Sequence, residues 1–339
     1  MAPFDPNAAA APDSGVFGLP FTPDEAEVVL LPIPFEATTS YGGGTADGPA
    51  AILEASKQVD LFDVETGRPY ERGIAMLEPL PELRRWNDEA KALAAPVIAA
   101  GGAGEDPALQ AALEKVNALC GHMNEAVYAE AKTWLQEGKR VVGVGGDHST
   151  VYGIIRAYAE KYPNLGVLHV DAHADLRDAY EGFTWSHASI FHNVMTRLPN
   201  VTKLVQVGIR DLGEAEHRFS EDSGGRIVTH YDARVKAQQH EGRPWRELCV
   251  EMVSALPHHV YVSFDIDGLD PTLCPHTGTP VPGGLSYAEA TALVAEVVRS
   301  GRRIVGLDLN EVAPGPNSEW DGNVGARLLY KMIGWMQQG

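Results

Sequence analysis

The sequence has few cysteines, no long apolar run and a shortage of basic residues. It contains 339 residues but only 3 cysteines, a sparse and odd set that argues against a disulfide framework and favours a reducing compartment. No apolar run reaches the roughly 18 residues needed to cross a bilayer. The first residues lack the basic region and the apolar core of a signal peptide. We therefore expect a cytoplasmic protein.

The shortage of basic residues narrows the range of partners. The chain has 27 Lys and Arg against 46 Asp and Glu, a formal net charge of −19. A surface of this sign repels nucleic-acid phosphates and anionic lipid headgroups, so we expect neither a nucleic-acid nor a membrane partner. It is compatible with a small cationic ligand. The composition, 44% hydrophobic and 22% charged, is otherwise that of an ordinary globular protein.

Short apolar runs alternate with helical patterns along the chain. This alternation predicts a parallel sheet covered by helices on both faces. The longest helical pattern covers 107–137, and 94–107 is interpreted as a surface loop. Residues 1–24, rich in Ala and Pro, are predicted to form an N-terminal tail or an arm on a neighbouring subunit, and 25–339 to form a single domain. The predicted strands are 28–34, 72–77, 140–146, 165–173, 203–210, 226–230, 259–267 and 303–312.

Three polar motifs, GGDHS, DAHAD and SFDID, each lie at the end of a predicted strand. In an open α/β sheet the carboxyl ends of the strands meet at one edge, so we expect these side chains to converge. Unpaired buried carboxylates cost several kcal/mol each, and the four carboxylates of the set would be neutralised by two divalent cations. The sequence therefore predicts a two-metal site with the ligands His148, Asp171, His173, Asp175, Asp265 and Asp267.

Each motif taken alone also has a structural interpretation. In GGDHS, for example, Asp147 or Ser149 would cap the next helix. The three motifs in this order, each at the end of a predicted strand, favour the metal site. Two His and four Asp suit Mn²⁺, with Ni²⁺, Co²⁺ and Zn²⁺ as alternatives.

Four segments, VGVGGDHST, DAHADLRD, SFDIDGLDP and LDLNEVAP, resemble the signature motifs of the ureohydrolases, a family that includes arginase, agmatinase and formimidoylglutamase. The resemblance is greatest to agmatinases. It implies a three-layer α/β/α domain with an eight-stranded, mainly parallel sheet, and a homo-oligomer, either a trimer or a hexamer. It also implies two Mn²⁺ ions per subunit. One would be held by His148, Asp171, Asp175 and Asp265, and the other by Asp171, His173, Asp265 and Asp267.

The resemblance further implies hydrolysis of a guanidino compound to urea and an amine. Two bound metal ions lower the pKa of a shared water towards neutrality and so supply the nucleophile. The family pattern assigns Asp175 to handle the proton of that water and His187 to donate a proton to the leaving amine. It assigns Glu311 to the guanidinium, which a carboxylate can accept through two parallel hydrogen bonds.

The substrate is less well defined by the sequence. Arg177 and Asp178 stand where arginases carry residues that bind the amino-acid end of arginine, which favours agmatine, cleaved to putrescine and urea. Asp178, Glu181 and Asp211 are then candidates for the second cation of agmatine. Alternatives are 4-guanidinobutyrate held by Arg177, a shorter substrate such as free guanidine if His276 narrows the pocket, and arginine itself.

Two alternatives of a different class also remain. One is a noncatalytic member of the family that binds a metal or a small cation. The other is a two-metal hydrolase for another C–N bond, which would have no need of Glu311 facing a planar cation.

Overall fold

The computed structural model describes residues 4–339. Its strands are β1 (Val28–Ile33), β2 (Ile74–Met76), β3 (Arg140–Gly145), β4 (Leu165–Val170), β5 (Val201–Ile209), β6 (Ile227–Tyr231), β7 (His259–Asp265) and β8 (Arg303–Asn310). They form one sheet in the order β2-β1-β3-β8-β7-β4-β5-β6, and all the neighbouring pairs are parallel. The prediction of an eight-stranded parallel sheet is confirmed, and all eight predicted strands are present.

Helices connect the strands and cover both faces of the sheet. They are α1 (Gly48–Ser56), α2 (Pro81–Ala99), α3 (Pro107–Gln136), α4 (Tyr152–Lys161), α5 (Ile190–Arg197), α6 (Glu214–Glu221), α7 (Asp232–His240), α8 (Trp245–Ser254), α9 (Tyr287–Arg299) and α10 (Trp320–Gln338). None of the helices in residues 4–339 is both long and apolar enough to cross a bilayer.

Alternate residues of the strands enter two separate hydrophobic cores, as the two-residue period of a strand requires. In β4, Leu168 and Val170 join the core beneath α1 and α8–α10, whereas Leu165 and Val167 join the core beneath α2–α5. Every residue of β4 is buried. The strands therefore have nearly continuous apolar sequences, because both faces of the sheet are covered. This arrangement confirms the three-layer α/β/α fold.

Helix α2 differs from the sequence prediction. Residues 94–107 were expected to form a surface loop, but Ala94 is fully buried and the helix continues to Ala99, with Pro96 in its last turns. A proline so close to the end removes one helical hydrogen bond, and the buried face formed by Leu83, Ala90 and Ala94 holds the helix in place. The loop proper is confined to the residues between α2 and α3.

Part of the segment predicted as a tail or arm packs on its own chain. Val16 and Phe17 are buried, and the Phe17 N–H donates to Ser56 Oγ at 2.8 Å. The Phe17 ring lies 4.9 Å, centroid to centroid, from that of Tyr330 on α10. In this structure the segment therefore contributes to the core on the α1 and α10 side of the sheet.

Candidate metal centre

Four adjacent central strands, in the order β3-β8-β7-β4, bring the predicted ligands to one edge of the sheet. Asp171 follows the last residue of β4, and Asp265 is the last residue of β7. His148 lies three residues beyond β3, after a close passage at Gly146, where a Cβ atom would lie 2.0 Å from the Phe35 carbonyl oxygen. Glu311 follows β8. The convergence expected at the carboxyl edge is present in the structure.

The Nδ1 atom of His148 faces three carboxylates. It lies 3.1 Å from Asp171 Oδ2 and 3.3 Å from an Oδ2 atom of each of Asp175 and Asp265. These four residues form a first group, and all four side chains are buried. One ring nitrogen carries at most one proton, so a single N–H cannot satisfy three carboxylate oxygens.

The opposite side of the His148 ring indicates where its proton is. Nε2 lies 2.9 Å from Ser263 Oγ, and Ser263 Oγ donates its only proton to Asp308 Oδ1 at 2.8 Å. The serine oxygen must therefore accept from the His148 Nε2–H, so in the neutral ring Nδ1 has a lone pair. A lone pair and three carboxylate oxygens that face one another need a cation between them, so these residues fit a divalent metal ion.

The electrostatics of two of the carboxyl groups, those of Asp175 and Asp265, also favour a bound cation. Burial, together with the negative charge of Asp171, raises the pKa of Asp175 to about 7. Burial, followed by the charges of Asp267 and Asp171, raises the pKa of Asp265 well above its usual range. Asp175 also has a left-handed backbone, with φ of 54°. Strain of this kind in a non-glycine residue is concentrated at functional sites.

A second group forms around His173. Its Nδ1 lies 3.0 Å from Asp267 Oδ2 and 3.5 Å from Asp171 Oδ1. Asp171 thus presents one oxygen to each group, as expected for a bridging carboxylate. Asp265 is predicted to bridge as well, and its Oδ2 lies in the first group, 3.3 Å from His148 Nδ1. Its Oδ1 accepts from the Asp267 N–H at 2.8 Å and caps the short helical turn that follows β7.

Glu311 is buried beside the first group. Its Oε1 accepts from the His148 N–H at 2.9 Å, and its backbone is left-handed, with φ of 62°. Burial, and then the charges of Asp265 and Asp147, raise the pKa of Glu311 well above its usual range. A cation placed against this carboxylate would offset that cost.

A cavity of about 200 Å³ opens next to the two groups. His173 and Asp175 form part of its wall, and His187 lines it as well. The Nδ1 atom of His187 is buried and has no hydrogen-bond partner among residues 4–339. Burial, and then the charge of His173, lower the pKa of this imidazole to about 4, so the ring is neutral near pH 7. A neutral ring next to the candidate metal residues can take up a proton and pass it on.

Of the three acids considered for a second substrate cation, only Asp211 lines this cavity. The Asp178 side chain is 93% exposed and lies near His192 on the surface. Glu181 does not line the cavity either. Asp178 and Glu181 were therefore poor candidates. Whether a loop carboxylate faces the cavity depends on how the loop packs, which the sequence pattern does not show.

Arg177 lines the cavity, but its guanidinium already contacts Glu216 and Tyr180. Its Nε lies 3.4 Å from Glu216 Oε2, and its guanidinium carbon lies 5.1 Å from the centroid of the Tyr180 ring. Glu216 is itself buried and accepts hydrogen bonds from the Leu176 and Gly213 N–H groups. Because its charge is already balanced, Arg177 is a weak binding partner for a substrate carboxylate.

His276 is held away from the cavity. Its N–H donates to Asp321 Oδ1 at 2.9 Å, and its Nδ1 lies 2.8 Å from Asp321 Oδ2 at the start of α10. It is not among the residues that line the cavity. The expectation that His276 narrows the pocket has no support in this geometry.

Four polar residues inside the strands were not predicted. His169 and Ser263 contact the candidate ligands Asp171 and His148, and Gln206 and Asp308 form hydrogen bonds to His169 and Ser263. A signal was available, since each is a polar side chain within a strand whose other residues are mostly apolar and buried on both faces. Such a residue must have a hydrogen-bond partner, and the hydrogen bonds of these four residues lead to the candidate metal centre.

Comparisons with known proteins agree with this geometry. The sequence model of the family described as "Arginase family" matches residues 26–334. An N(1)-aminopropylagmatine ureohydrolase of Thermus thermophilus is 36% identical over 323 residues, covering 94% of each chain. An agmatinase of Bacillus anthracis is 30% identical over 320 residues, covering 93% of each.

Solved structures have the same fold. The crystal structure of agmatine ureohydrolase of Thermoplasma volcanium superposes with a TM-score of 0.72 and covers 96% of this chain and 94% of its own. Its sequence identity is 22%, so this likeness concerns the fold alone.

Proposed function

This chain belongs to the arginase family and is a ureohydrolase, and from this premise we propose that it hydrolyses agmatine to urea and putrescine. We propose that two divalent cations, most suitably Mn²⁺, bind at the His148 and His173 groups. The ligands would be His148, Asp171, His173, Asp175, Asp265 and Asp267.

One observation supports the amine-tailed substrate above the others. The cavity that begins at His173 and Asp175 also has Asp211 in its wall, while its one arginine is already paired with Glu216. A guanidinium at the metal end and an ammonium near Asp211 would each meet a carboxylate. Arginine and 4-guanidinobutyrate end in a carboxylate. This group would be repelled by the negative charge of Asp211, and the positive charge of Arg177 is already paired with Glu216.

Each component of the site would have a separate role in the reaction. The metal ions, when bound, would supply a nucleophilic water at neutral pH and stabilise the negative charge of the transition state. Glu311 would accept N–H groups of the guanidinium and orient its central carbon. As water adds to that carbon, the bond to the alkyl-substituted nitrogen breaks. Asp175 would receive the proton of the water, and His187 would take up this proton and pass it to the departing amine, which leaves both side chains as they began.

A longer substrate is the second candidate, and one observation favours it. The Tyr41 side chain lines the cavity, yet the residue is 85% exposed. An aromatic ring at such an open rim can contact an ammonium group that extends beyond the cavity. N(1)-aminopropylagmatine, named for the Thermus relative, has such an extension.

The experiment is a comparison of urea release from agmatine, N(1)-aminopropylagmatine, arginine, 4-guanidinobutyrate and guanidine by the Mn²⁺-loaded protein. We expect agmatine or its aminopropyl derivative to be at least about tenfold better in kcat/KM than the three others. A preference for arginine or 4-guanidinobutyrate would contradict the proposal. No urea from any of the five, with metal bound, would favour the noncatalytic alternative. The cytoplasmic location and the homo-oligomer are predictions from the sequence alone.

A further inference from the structure

His169 lies among the candidate ligand atoms but was not predicted as a ligand. It is the fifth residue of β4 and is fully buried, with its ring 4.0 Å from that of Phe191, centroid to centroid. Its Nε2 lies 2.7 Å from Asp171 Oδ2, the same oxygen that faces His148 Nδ1 at 3.1 Å. By distance alone, His169 could be a third histidine ligand of the first group.

The neighbouring glutamine decides which ring nitrogen carries the proton. The side-chain nitrogen of Gln206 lies 2.7 Å from the Ala174 carbonyl oxygen, and its side-chain oxygen accepts from Thr229 Oγ1 at 3.0 Å. A carbonyl oxygen can only accept, so the amide must be oriented with its NH₂ group towards Ala174. The same NH₂ group lies 3.0 Å from His169 Nδ1.

This orientation leaves one tautomer of His169. Nδ1 accepts from Gln206 and therefore has no proton, so the neutral ring carries its proton on Nε2. That proton lies between Nε2 and Asp171 Oδ2. A protonated ring nitrogen has no lone pair to offer a metal ion.

We infer that His169 is a positioning residue that donates its Nε2–H to Asp171, with Gln206 setting its tautomer, and is not a metal ligand. The other oxygen of Asp171, Oδ1, accepts from the His173 N–H at 2.6 Å. Each oxygen of the candidate bridging carboxylate is thus held by one donor. The plane of the carboxylate is thereby fixed so that the two oxygens face different groups. Outer hydrogen bonds of this kind orient ligands and raise metal affinity.

This inference rests on the proposed metal centre but not on the identity of the substrate, so it can be tested without catalysis. We would titrate the metal-free full-length chain with Mn²⁺ by calorimetry, comparing wild type with His169→Leu and His169→Gln. Leu removes the donor, whereas the amide nitrogen of Gln can reach the position of Nε2. His230→Leu on β6 is the matched control, since it removes a histidine of the same sheet that contacts neither group.

We expect all variants to bind two Mn²⁺ per chain. The affinity should fall about 10–100-fold in His169→Leu, be largely restored in His169→Gln, and remain unchanged in His230→Leu. Loss of one Mn²⁺ from the stoichiometry of both His169 variants would identify His169 as a ligand and overturn the inference. An unchanged affinity in His169→Leu would overturn it too, because the ring would then only fill space.

Nitrogen NMR of histidine-labelled protein gives a second readout that does not depend on metal binding. In the metal-free chain, His169 should show a protonated Nε2 and an unprotonated Nδ1. Gln206→Met should remove this preference and yield a mixture of tautomers, whereas Gln206→Glu should favour a proton on Nδ1. A wild-type His169 protonated on Nδ1 alone would contradict the inference. Failure of the wild type to bind Mn²⁺, with the Nε2–H tautomer present, would instead contradict the proposed metal centre.

Discussion

The backbone N–H of His148 donates a hydrogen bond of 2.9 Å to Oε1 of Glu311, which joins the residue at the end of β8 to the turn after β3. The two strands are neighbours in the sheet. One oxygen of Glu311 is therefore fixed, and the other, Oε2, faces the side of Gly278, where a Cβ atom would lie 3.5 Å away. A guanidinium held by Glu311 would consequently lie at a set distance from the candidate ligand His148.

Glu311→Gln should impair substrate binding and leave metal content unchanged. Glutamine preserves an acceptor for the His148 N–H but cannot form a charge-assisted pair with a guanidinium. A hydrogen bond to a charged group contributes about 1.5–3 kcal/mol, so kcat/KM should fall roughly 10–150-fold, mostly through KM. Steady-state kinetics with metal analysis of the same samples would measure this. An unchanged KM would argue against a guanidinium substrate.

Asp211→Asn should weaken agmatine selectively. Asp211 lines the cavity but is exposed, so water and salt screen its charge, and we expect a loss of only about 0.2–1 kcal/mol, or up to fivefold in kcat/KM. Guanidine, which has no second cation, should be unaffected. Asp178→Asn is the control because that side chain points into solvent. If both substitutions lowered kcat/KM for agmatine equally, the cause would be the overall surface charge and not a specific contact with Asp211.

His187→Ala should lower kcat and leave Mn²⁺ binding intact. The imidazole lines the cavity, and its buried Nδ1 has no partner within the described chain. Loss of a positioned proton-transfer group costs about 10²–10⁴-fold. His192→Ala, five residues further along, serves as the comparison, since His192 contacts Phe219 and surface Asp178. A fall in KM or metal content with normal kcat would assign His187 a different role.

Removal of metal should destabilise the protein as well as inactivate it. Without a metal ion, the buried carboxyl groups of Asp171, Asp175 and Asp265 converge on one nitrogen of the His148 ring. A ligand at 100 times its dissociation constant stabilises the folded state by about 2.7 kcal/mol. Treatment with a chelator should therefore lower Tm by several degrees and abolish urea release, and added Mn²⁺ should restore both. Activity that persists after complete chelation would contradict the metal-dependent mechanism.

Phe17→Ala should destabilise the fold if residues 16–19 form part of the core rather than an arm on a neighbouring subunit. The ring is buried against Tyr330, and loss of a buried Phe costs about 3–5 kcal/mol. Phe4→Ala, where the residue is 40% exposed, should change the free energy of unfolding by less than about 1 kcal/mol. Denaturant unfolding of the two variants would measure the difference. If Phe17→Ala changed the free energy of unfolding only slightly at low protein concentration, the segment would instead be an arm that packs on a neighbouring subunit.

The strands and the converging acids could be predicted because they depend on short-range order. An apolar run such as 140–146 forms a strand whichever helices cover it, and polar residues directly after parallel strands must meet at one edge. His148, Asp171 and Asp265 were therefore found without any knowledge of packing. Helix α2 was not predicted, and its end was interpreted as a loop because of the Gly and Pro residues there, whereas burial of Ala94 keeps the segment helical.

Side-chain direction could not be predicted in the same way. Asp178 and Asp211 are both loop carboxylates close to the metal motifs in sequence or space, yet one points into solvent and the other lines the cavity. Arg177 was a candidate for a substrate carboxylate until the structure placed Glu216 beside it, 39 positions along the chain. Such pairings depend on how loops from different strands pack, and no local pattern encodes that.

The sequence by itself determined the family, the parallel sheet and the set of acids and imidazoles at its carboxyl edge, because strand periodicity and motif order are local properties. Only the tertiary structure decided which atoms face one another. It placed Ser263 behind His148 and Gln206 behind His169, and so directed the Nε2–H of the first ring to Ser263 and that of the second to Asp171. The reason is physical, since the tautomer of a buried histidine depends on its hydrogen-bond partners, and here those partners come from other strands.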